Sequence, residues 1–421
     1  MLVNFKIKNY RLFENEISLS FESDMRTKKF DYNTVNINGA NLLKVSGIYG
    51  PNNTGKTCLL LALGSIRNIM LNEQTESFNN SFNDNTVTEM EVEYIINNNS
   101  YKYFVKYDSV KREYLTESLD EKRNNSYTTI MKKREDGLFI RTSDRLSKVE
   151  KQYYSNNYPI FMIFNFENTI IEKAQKDYLS FANSIELLRM DSPINISNTI
   201  NLLKNDAEAR KFIKSFIKNC DLNIEDFGYS EDIVSDVDIT QKLQIANMYN
   251  INKESLKIWS KHHGYIVPSA FYDSIGTQKI IALSGHIYDA LKNGKILLID
   301  EIDSSLHHVM ARAIIALFNN ELNTKTQLIF STHDALLMDL RRLFRKEQIW
   351  LTDMDEKGNA KLIHLSEEFK SRSENGIRGD ENITDYYLKG RFGGVPTPDL
   401  FDTLYGLEKG ESNEEEYPNI S

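Results

Sequence analysis

Eight consecutive residues, Gly50-Pro51-Asn52-Asn53-Thr54-Gly55-Lys56-Thr57, place two glycines, a lysine and a hydroxyl at the spacing a phosphate-binding loop requires. The glycines let the backbone curl until its N–H groups converge on phosphate oxygens. A helix beginning there adds the positive end of its dipole. Lys56 is then expected to reach the β- and γ-phosphates of a nucleoside triphosphate, and the Thr57 hydroxyl to coordinate Mg²⁺. A chance match in a surface loop is the competing reading. The apolar strand predicted over 41–49 and the helical spacing from Thr57 to Met70 argue against it. The motif alone leaves open ATP or GTP, and hydrolysis or binding only.

Two further segments end apolar runs in groups that can act on a phosphate. In Ile296-Leu297-Leu298-Ile299-Asp300-Glu301 the unbroken apolar stretch predicts a strand buried on both faces, as in a parallel sheet. Asp300 would emerge at its carboxyl end to hold Mg²⁺, and Glu301 is the candidate general base for a water. An ordinary strand end is the plainer alternative, with Asp303 and Ser304 capping a helix read over 304–318. Leu328-Ile329-Phe330-Ser331-Thr332-His333 is a second such run, and His333 could hydrogen-bond a γ-phosphate and orient the water. His307 and His308 are neighbours on a helix, so they do not face one metal. Ser274-Ile275-Gly276-Thr277, ahead of a helix read over 278–291, offers a hydroxyl and a helix N-terminus to an anion. A plain helix cap explains the same residues.

Elements of two kinds must position these groups. Leu2–Phe13, Ile17–Phe21 and 88–140 alternate apolar and polar residues with Asn-rich turns between, which predicts antiparallel strands. From 168 to 260 the spacing is helical, with an acidic loop over 231–238. Gln348–Leu351 and Ala360–Ile363 flank Glu356-Lys357-Gly358-Asn359 as a terminal hairpin. The division expected is 1–167 for the first part of an α/β nucleotide-binding head, 168–264 for a mainly helical insertion, 265–400 for the rest of the head, and 401–421 for an acidic tail.

Composition narrows the class. The chain has 421 residues, 40% of them hydrophobic, enough for substantial cores, and a formal net charge of −9, unlike a strongly basic nucleic-acid binder. A local basic patch, and so contact with DNA or RNA, stays open. Two distant cysteines, Cys58 and Cys220, give no disulfide framework and suit a reducing cytoplasm. No run approaches the length of a membrane span, and the N-terminus has no signal-peptide layout.

The order of phosphate loop, Ser-x-Gly, Leu-Leu-Ile-Asp-Glu and Ser-Thr-His resembles the ABC-type ATPase head of the SMC and RecF proteins and the OLD-like ATPases. Phe5-Lys6-Ile7-Lys8-Asn9-Tyr10-Arg11-Leu12-Phe13, the terminal hairpin and Gly390-Arg391-Phe392-Gly393-Gly394-Val395-Pro396 are similar to the RloA/AbiL-like and AriA-like anti-phage defence ATPases. The resemblance covers about 1–70 and 265–396. It implies a mixed antiparallel N-terminal sheet beside a mainly parallel core sheet. It also implies ATP and Mg²⁺ at a site shared between two subunits of a homodimer or higher oligomer. Gly50, Pro51, Asn52, Asn53, Thr54, Gly55, Lys56 and Thr57 would cradle the phosphates. Ser274 and Gly276 would reach the γ-phosphate from the partner subunit, with Ser304 and Ser305 in an inter-subunit loop. Thr57 and Asp300 would hold the metal, and Glu301, His333 and Lys56 would be catalytic. The glutamine that ABC heads carry between their lobes has no clear counterpart, Phe161–Phe166 being its neighbourhood. Asp353 and Asp355 imitate a Toprim pair, yet they sit at a hairpin turn with too little chain beyond them. The implied role is a sensor or regulatory scaffold of an abortive-infection system. It would control a separate Toprim-like or RloB-like nuclease or toxin, with a phage-encoded trigger. A RecF/SMC-like DNA-maintenance ATPase is the alternative, and a slowly hydrolysing nucleotide-binding scaffold a third reading.

Overall fold

The computed structural model describes residues 1–24, 27–74, 78–80, 82–142, 145–149, 155–163, 169–231, 253–368, 383–393 and 395. In chain order, β1 (Leu2–Lys8) and β2 (Ile17–Ser20) open the fold, and a small hairpin, β3 (Thr34–Ile37) and β4 (Ala40–Leu43), precedes β5 (Val45–Tyr49). The phosphate loop and helix α1 (Lys56–Leu71) follow. Six strands come next: β6 (Val87–Ile96), β7 (Asn99–Asp108), β8 (Glu113–Arg123), β9 (Ser126–Arg134), β10 (Gly137–Thr142) and β11 (Arg145–Val149). Helix α2 (Thr169–Ser184) leads into β12 (Ile185–Arg189), and α3 (Ser197–Asn205) and α4 (Ala207–Asn219) into β13 (Asp226–Tyr229). After β14 (Ile258–His262) and β15 (Tyr265–Pro268) come α5 (Ile275–Asn293), β16 (Ile296–Asp300), α6 (His308–Asn319), β17 (Gln327–Thr332), β18 (Ile349–Met354) and β19 (Ala360–His364).

Two large sheets result. The first is antiparallel throughout, in the order β11-β10-β9-β8-β7-β6-β1-β2. The second runs β12-β16-β17-β5-β18-β19 and is parallel except for the last hairpin. This is the mixed antiparallel sheet, parallel core sheet and inserted helical region of an ABC/SMC-type P-loop head. The inserted region also supplies strands: β12 pairs in parallel with β16, and β13 to β15 form a small sheet of their own.

The apolar runs follow from the layering. Helix α1 lies between the two sheets. Ile48, Ile296, Leu298, Ile329 and Trp350 face it and the antiparallel sheet. Val45, Tyr49, Leu297, Ile299, Leu328, Phe330, Ile349 and Leu351 face the other way, onto the second core built with α3, α4, α5 and α6. Both faces of each core strand are therefore buried, which is why these strands lack alternation. The antiparallel strands bury one face more than the other and alternate. At the far end of α1, Tyr114 Oη donates to Ile69 O at 2.7 Å and Tyr178 Oη to Met70 O at 3.1 Å. Each is worth about 1 kcal/mol net, and together they tie the phosphate-loop helix to the antiparallel sheet and to α2.

Some local expectations need correction or placing. The helix read from Ser304 begins at His308, because Glu301 (φ 54°) and Ser305 (φ 64°) are left-handed and no helix runs through them. His307 Nδ1, not Asp303 or Ser304, accepts the first-turn N–H, that of Val309 at 3.3 Å. Asp355 is a turn residue, its carboxylate accepting the Lys357 and Asn359 N–H groups at 2.9 and 2.8 Å. Residues 232–238, Phe164, Asn165, Phe166, Gly394, Pro396 and the tail 401–421 lie outside the described residues. Among the described residues no helix is long and apolar enough to cross a membrane.

A buried histidine joins the inserted region to the core sheet. His286 Nδ1 lies 2.5 Å from Glu186 Oε1 on β12, and Nε2 lies 3.0 Å from Asn195 O. Both acceptors need a ring proton, so only the imidazolium satisfies both. Burial alone would lower the pKa, but the Glu186 carboxylate more than offsets it and the value stands above 6.5. The folded pKa exceeds the unfolded one, so this stabilisation is complete at low pH and is lost as pH rises through the folded value. His286→Gln should therefore be less stable than the parent at pH about 6, the gap in urea midpoint closing towards pH about 9. A gap independent of pH would show that the histidine acts through packing alone.

Candidate nucleotide site

The parallel strands bring their carboxyl ends to one edge, and the sequence motifs meet there. Gly50 (φ 151°), Asn53 (φ 61°) and Gly55 (φ 102°) supply the turns of the loop. Close packing adds to this requirement. A Cβ on Gly50 would lie 2.3 Å from Thr352 Oγ1, and one on Gly55 would lie 2.9 Å from the Phe13 ring. The Thr54 hydroxyl bonds Thr352 Oγ1 at 2.7 Å and Pro51 O at 2.9 Å, fixing the loop onto β18.

Lys56 is buried, and all three of its N–H groups are engaged. It donates to Gly50 O at 2.8 Å, to Pro51 O at 2.6 Å and to His333 Nδ1 at 3.3 Å. An ammonium cannot accept, so Nδ1 is the acceptor and the His333 proton sits on Nε2. That nitrogen lies 3.7 Å from Glu301 Oε1. Burial lowers the Lys56 pKa to about 8, against the pull of the Glu301, Asp300 and Asp303 carboxylates.

Asp300 is held from several sides. Thr57 Oγ1 donates to its Oδ1 at 3.2 Å and Ser331 Oγ to the same oxygen at 2.5 Å. Ser331 Oγ also accepts the Glu301 N–H at 2.8 Å, and Ser331 O accepts the Ile302 N–H at 3.0 Å. These bonds hold Glu301 in the left-handed region, a conformation that costs a bulky residue roughly 1–2 kcal/mol. They turn its carboxylate into the cleft, where it stands about a third exposed beside His333. Asp303 Oδ2 accepts the His333 N–H at 3.3 Å.

One open cleft is lined by Leu12, Asn52, Asn53, Gly55, Lys56, Thr57, Cys58, Glu301 and His333. The predicted loop, base and histidine are thus brought together, with Asp300 bonded just behind Thr57. Ser274 and Gly276 stand outside this cleft. Ser274 caps α5, accepting the Thr277 N–H at 3.2 Å, and Gly276 packs under the Ser305 carbonyl, where a Cβ would lie 2.5 Å away. Ser331 and Thr352 are the site residues that motif reading passed over. Ser331 had a signal, its place in the Ser-Thr-His run, whereas Thr352 had none.

The donor set suits Mg²⁺. Thr57 and Asp300 present two hard oxygens, and this ion commonly takes few protein oxygens and fills its shell with phosphate and water. When bound it would neutralise phosphate charge. Among the described residues no cluster of three or more His, Cys, Asp or Glu forms an all-protein cage. The His307 and His308 rings lie 4.5 Å apart at an interplanar angle of 36°, and His307 precedes the helix as its cap rather than lying on it.

The Lys56 pKa sets a pH profile. Phosphate oxygens raise the pKa of a bound lysine, so binding takes up a proton wherever the free lysine is neutral. Affinity for a triphosphate should be flat below pH about 8 and fall about tenfold per unit above it. Lys56→Arg, always charged, should lose that fall. Titration of a fluorescent ATP analogue across pH measures both, and equal profiles for the two proteins would exclude Lys56 as the titrating group.

Comparison with known proteins gives the family. The SMC head domain from Thermotoga maritima is similar, at 13% identity and a TM-score of 0.40, covering 86% of this chain and 98% of that one. So is an SMC head bound to the C-terminal winged-helix domain of ScpA, at 12% identity and a TM-score of 0.46, with 86% and 96% covered. None of the curated proteins compared matches the sequence. A family model described as "AAA domain, putative AbiEii toxin, Type IV TA system" matches residues 45–339, from the strand before the phosphate loop to beyond His333. The chain belongs to that AAA-domain family of P-loop ATPases.

Proposed function

We propose that this chain is an ATP-hydrolysing sensor and regulatory scaffold of a bacterial anti-phage, abortive-infection system. It would act in the cytoplasm and control a separate Toprim-like or RloB-like nuclease or toxin in response to a phage-encoded trigger. The observation that carries the reading is the convergence of Lys56, Thr57, Glu301 and His333 on one cleft, with Asp300 behind Thr57. The family's link to AbiEii-type toxin systems supports the biological setting.

The chain's own groups suggest the chemistry. Lys56 exchanges its loop carbonyls for phosphate oxygens, and the loop N–H groups and Thr57 orient the chain of phosphates. Glu301 takes the proton of the attacking water. His333, its proton on Nε2, donates to a γ-phosphate oxygen as charge builds there.

A site of this kind is half complete in one subunit. Ser274 stands outside the cleft, and around it Tyr272 and Ile275 are 64% and 67% exposed, as is Leu336 at 61% beyond His333. A second copy would cover these residues and bring its own Ser274 and Gly276 to the γ-phosphate. ATP would thereby set the assembly state that the effector reads.

Glu301→Gln should bind ATP, hydrolyse it at under about 1% of the parental rate and accumulate as a dimer or larger species. Light scattering with size-exclusion chromatography, with and without ATP, reads this directly. Lys56→Ala should neither bind nor assemble. Parental turnover in Glu301→Gln would remove it as the base, and a monomer at saturating ATP would remove the two-subunit site.

A further inference from the structure

One buried side chain joins the Asp300 end of the cleft to the Ser274 turn. Lys279 lies on α5, in the turn that follows Gly276, and the residue is only 8% exposed. Its Nζ donates to Met190 O and, at 3.1 Å, to Ser305 Oγ. Both acceptors are neutral oxygens. Met190 directly follows β12, and its own N–H donates to Asp300 O at 3.0 Å. Ser305, at φ 64°, rests its carbonyl on Gly276 so closely that a Cβ there would lie 2.5 Å from the oxygen. Two rings result that share Lys279 and Ser305: one runs through Met190 and Asp300 and back along residues 301–304 to Ser305, the other through Gly276 and back along α5 to Lys279.

Stability does not account for the lysine. Burial lowers its pKa, against the more distant Asp191 and Glu301 carboxylates that favour the charge. Desolvation of a buried ammonium opposes what its hydrogen bonds to neutral oxygens contribute. What only a multi-donor cation does here is hold two separate segments, 190 and 305, to one helix. The absence of a Cβ at position 276 then leaves no slack between Ser305 and the start of α5. These contacts form a continuous path from Asp300 and residues 301–305 to Ser274.

We infer that Lys279 is a positioning residue coupling the two half-sites of one protomer, so that the nucleotide bound against Asp300 sets the geometry of the Ser274 turn offered to a partner copy. This rests on the two-subunit reading above. Lys279 itself touches no reacting atom.

The test uses the full chain carrying Lys279→Met or Lys279→Arg, each also combined with Glu301→Gln. Lys279→Met should keep the parent's melting temperature and bind the fluorescent ATP analogue within about twofold of it. Its kcat should fall at least about tenfold, and ATP-driven assembly in the Glu301→Gln background should need at least about tenfold more protein. Lys279→Arg should restore most of both. Parental turnover and assembly in Lys279→Met would overturn the inference. So would a joint loss of melting temperature, nucleotide affinity and turnover, which marks a lysine needed only for folding. Failure of Glu301→Gln to assemble while Lys279 is intact is a separate result, and it strikes the two-subunit reading itself.

Discussion

The Lys56 ammonium, held in a glycine-hinged loop at the carboxyl edge of a parallel sheet, is the constraint around which the site is arranged. It is buried with three neutral acceptors, Gly50 O, Pro51 O and His333 Nδ1, and its pKa is lowered accordingly. Three carboxylates, Asp300, Glu301 and Asp303, act on it from a distance without forming an ion pair. A phosphate chain would replace weak acceptors with strong ones. The site is therefore pre-organised for an anion.

Keeping that lysine in place takes both layers of the molecule. From one side, Phe13 and Ala360 close against Gly55 and Thr352 against Gly50, so the antiparallel sheet and the terminal hairpin press on the loop. From the other, β17 lies between β5 and β16 and contributes Ser331, whose hydroxyl grips both Asp300 and the Glu301 backbone. The left-handed Glu301 is held there by long-range hydrogen bonds, and its conformation aims a carboxylate at His333. Strain kept at one residue by its surroundings is common where chemistry occurs.

The Lys56 cleft and the Ser274 turn differ in how they are built. The cleft that holds Lys56 is assembled from strand ends of the core sheet. The Ser274 turn caps a long helix that packs against the inserted region, through His286 to Glu186 and through Thr199 to Ala282 O. The inserted region thus bears on the helix that carries the Ser274 turn.

Much of this was legible in the sequence where short-range physics governs. The phosphate loop could be read because its chemistry depends on glycine and lysine spacing within eight residues. The core strands could be read because burial on both faces removes alternation from Ile296–Ile299 and Leu328–Phe330. The antiparallel strands were legible because they keep it. Tertiary structure alone decided the rest. Ile185–Arg189 became the edge strand of the core sheet through its pairing with β16, for which five residues inside a helical stretch carry no local mark. The helix expected from Ser304 starts at His308 because Ser305 is left-handed, at φ 64°, its hydroxyl bonded to Lys279 from α5. Likewise Thr352 meets Gly50 only once β18 lies beside β5. Local spacing determined which groups could do chemistry; hydrogen bonds between segments far apart in the chain decided where those groups point.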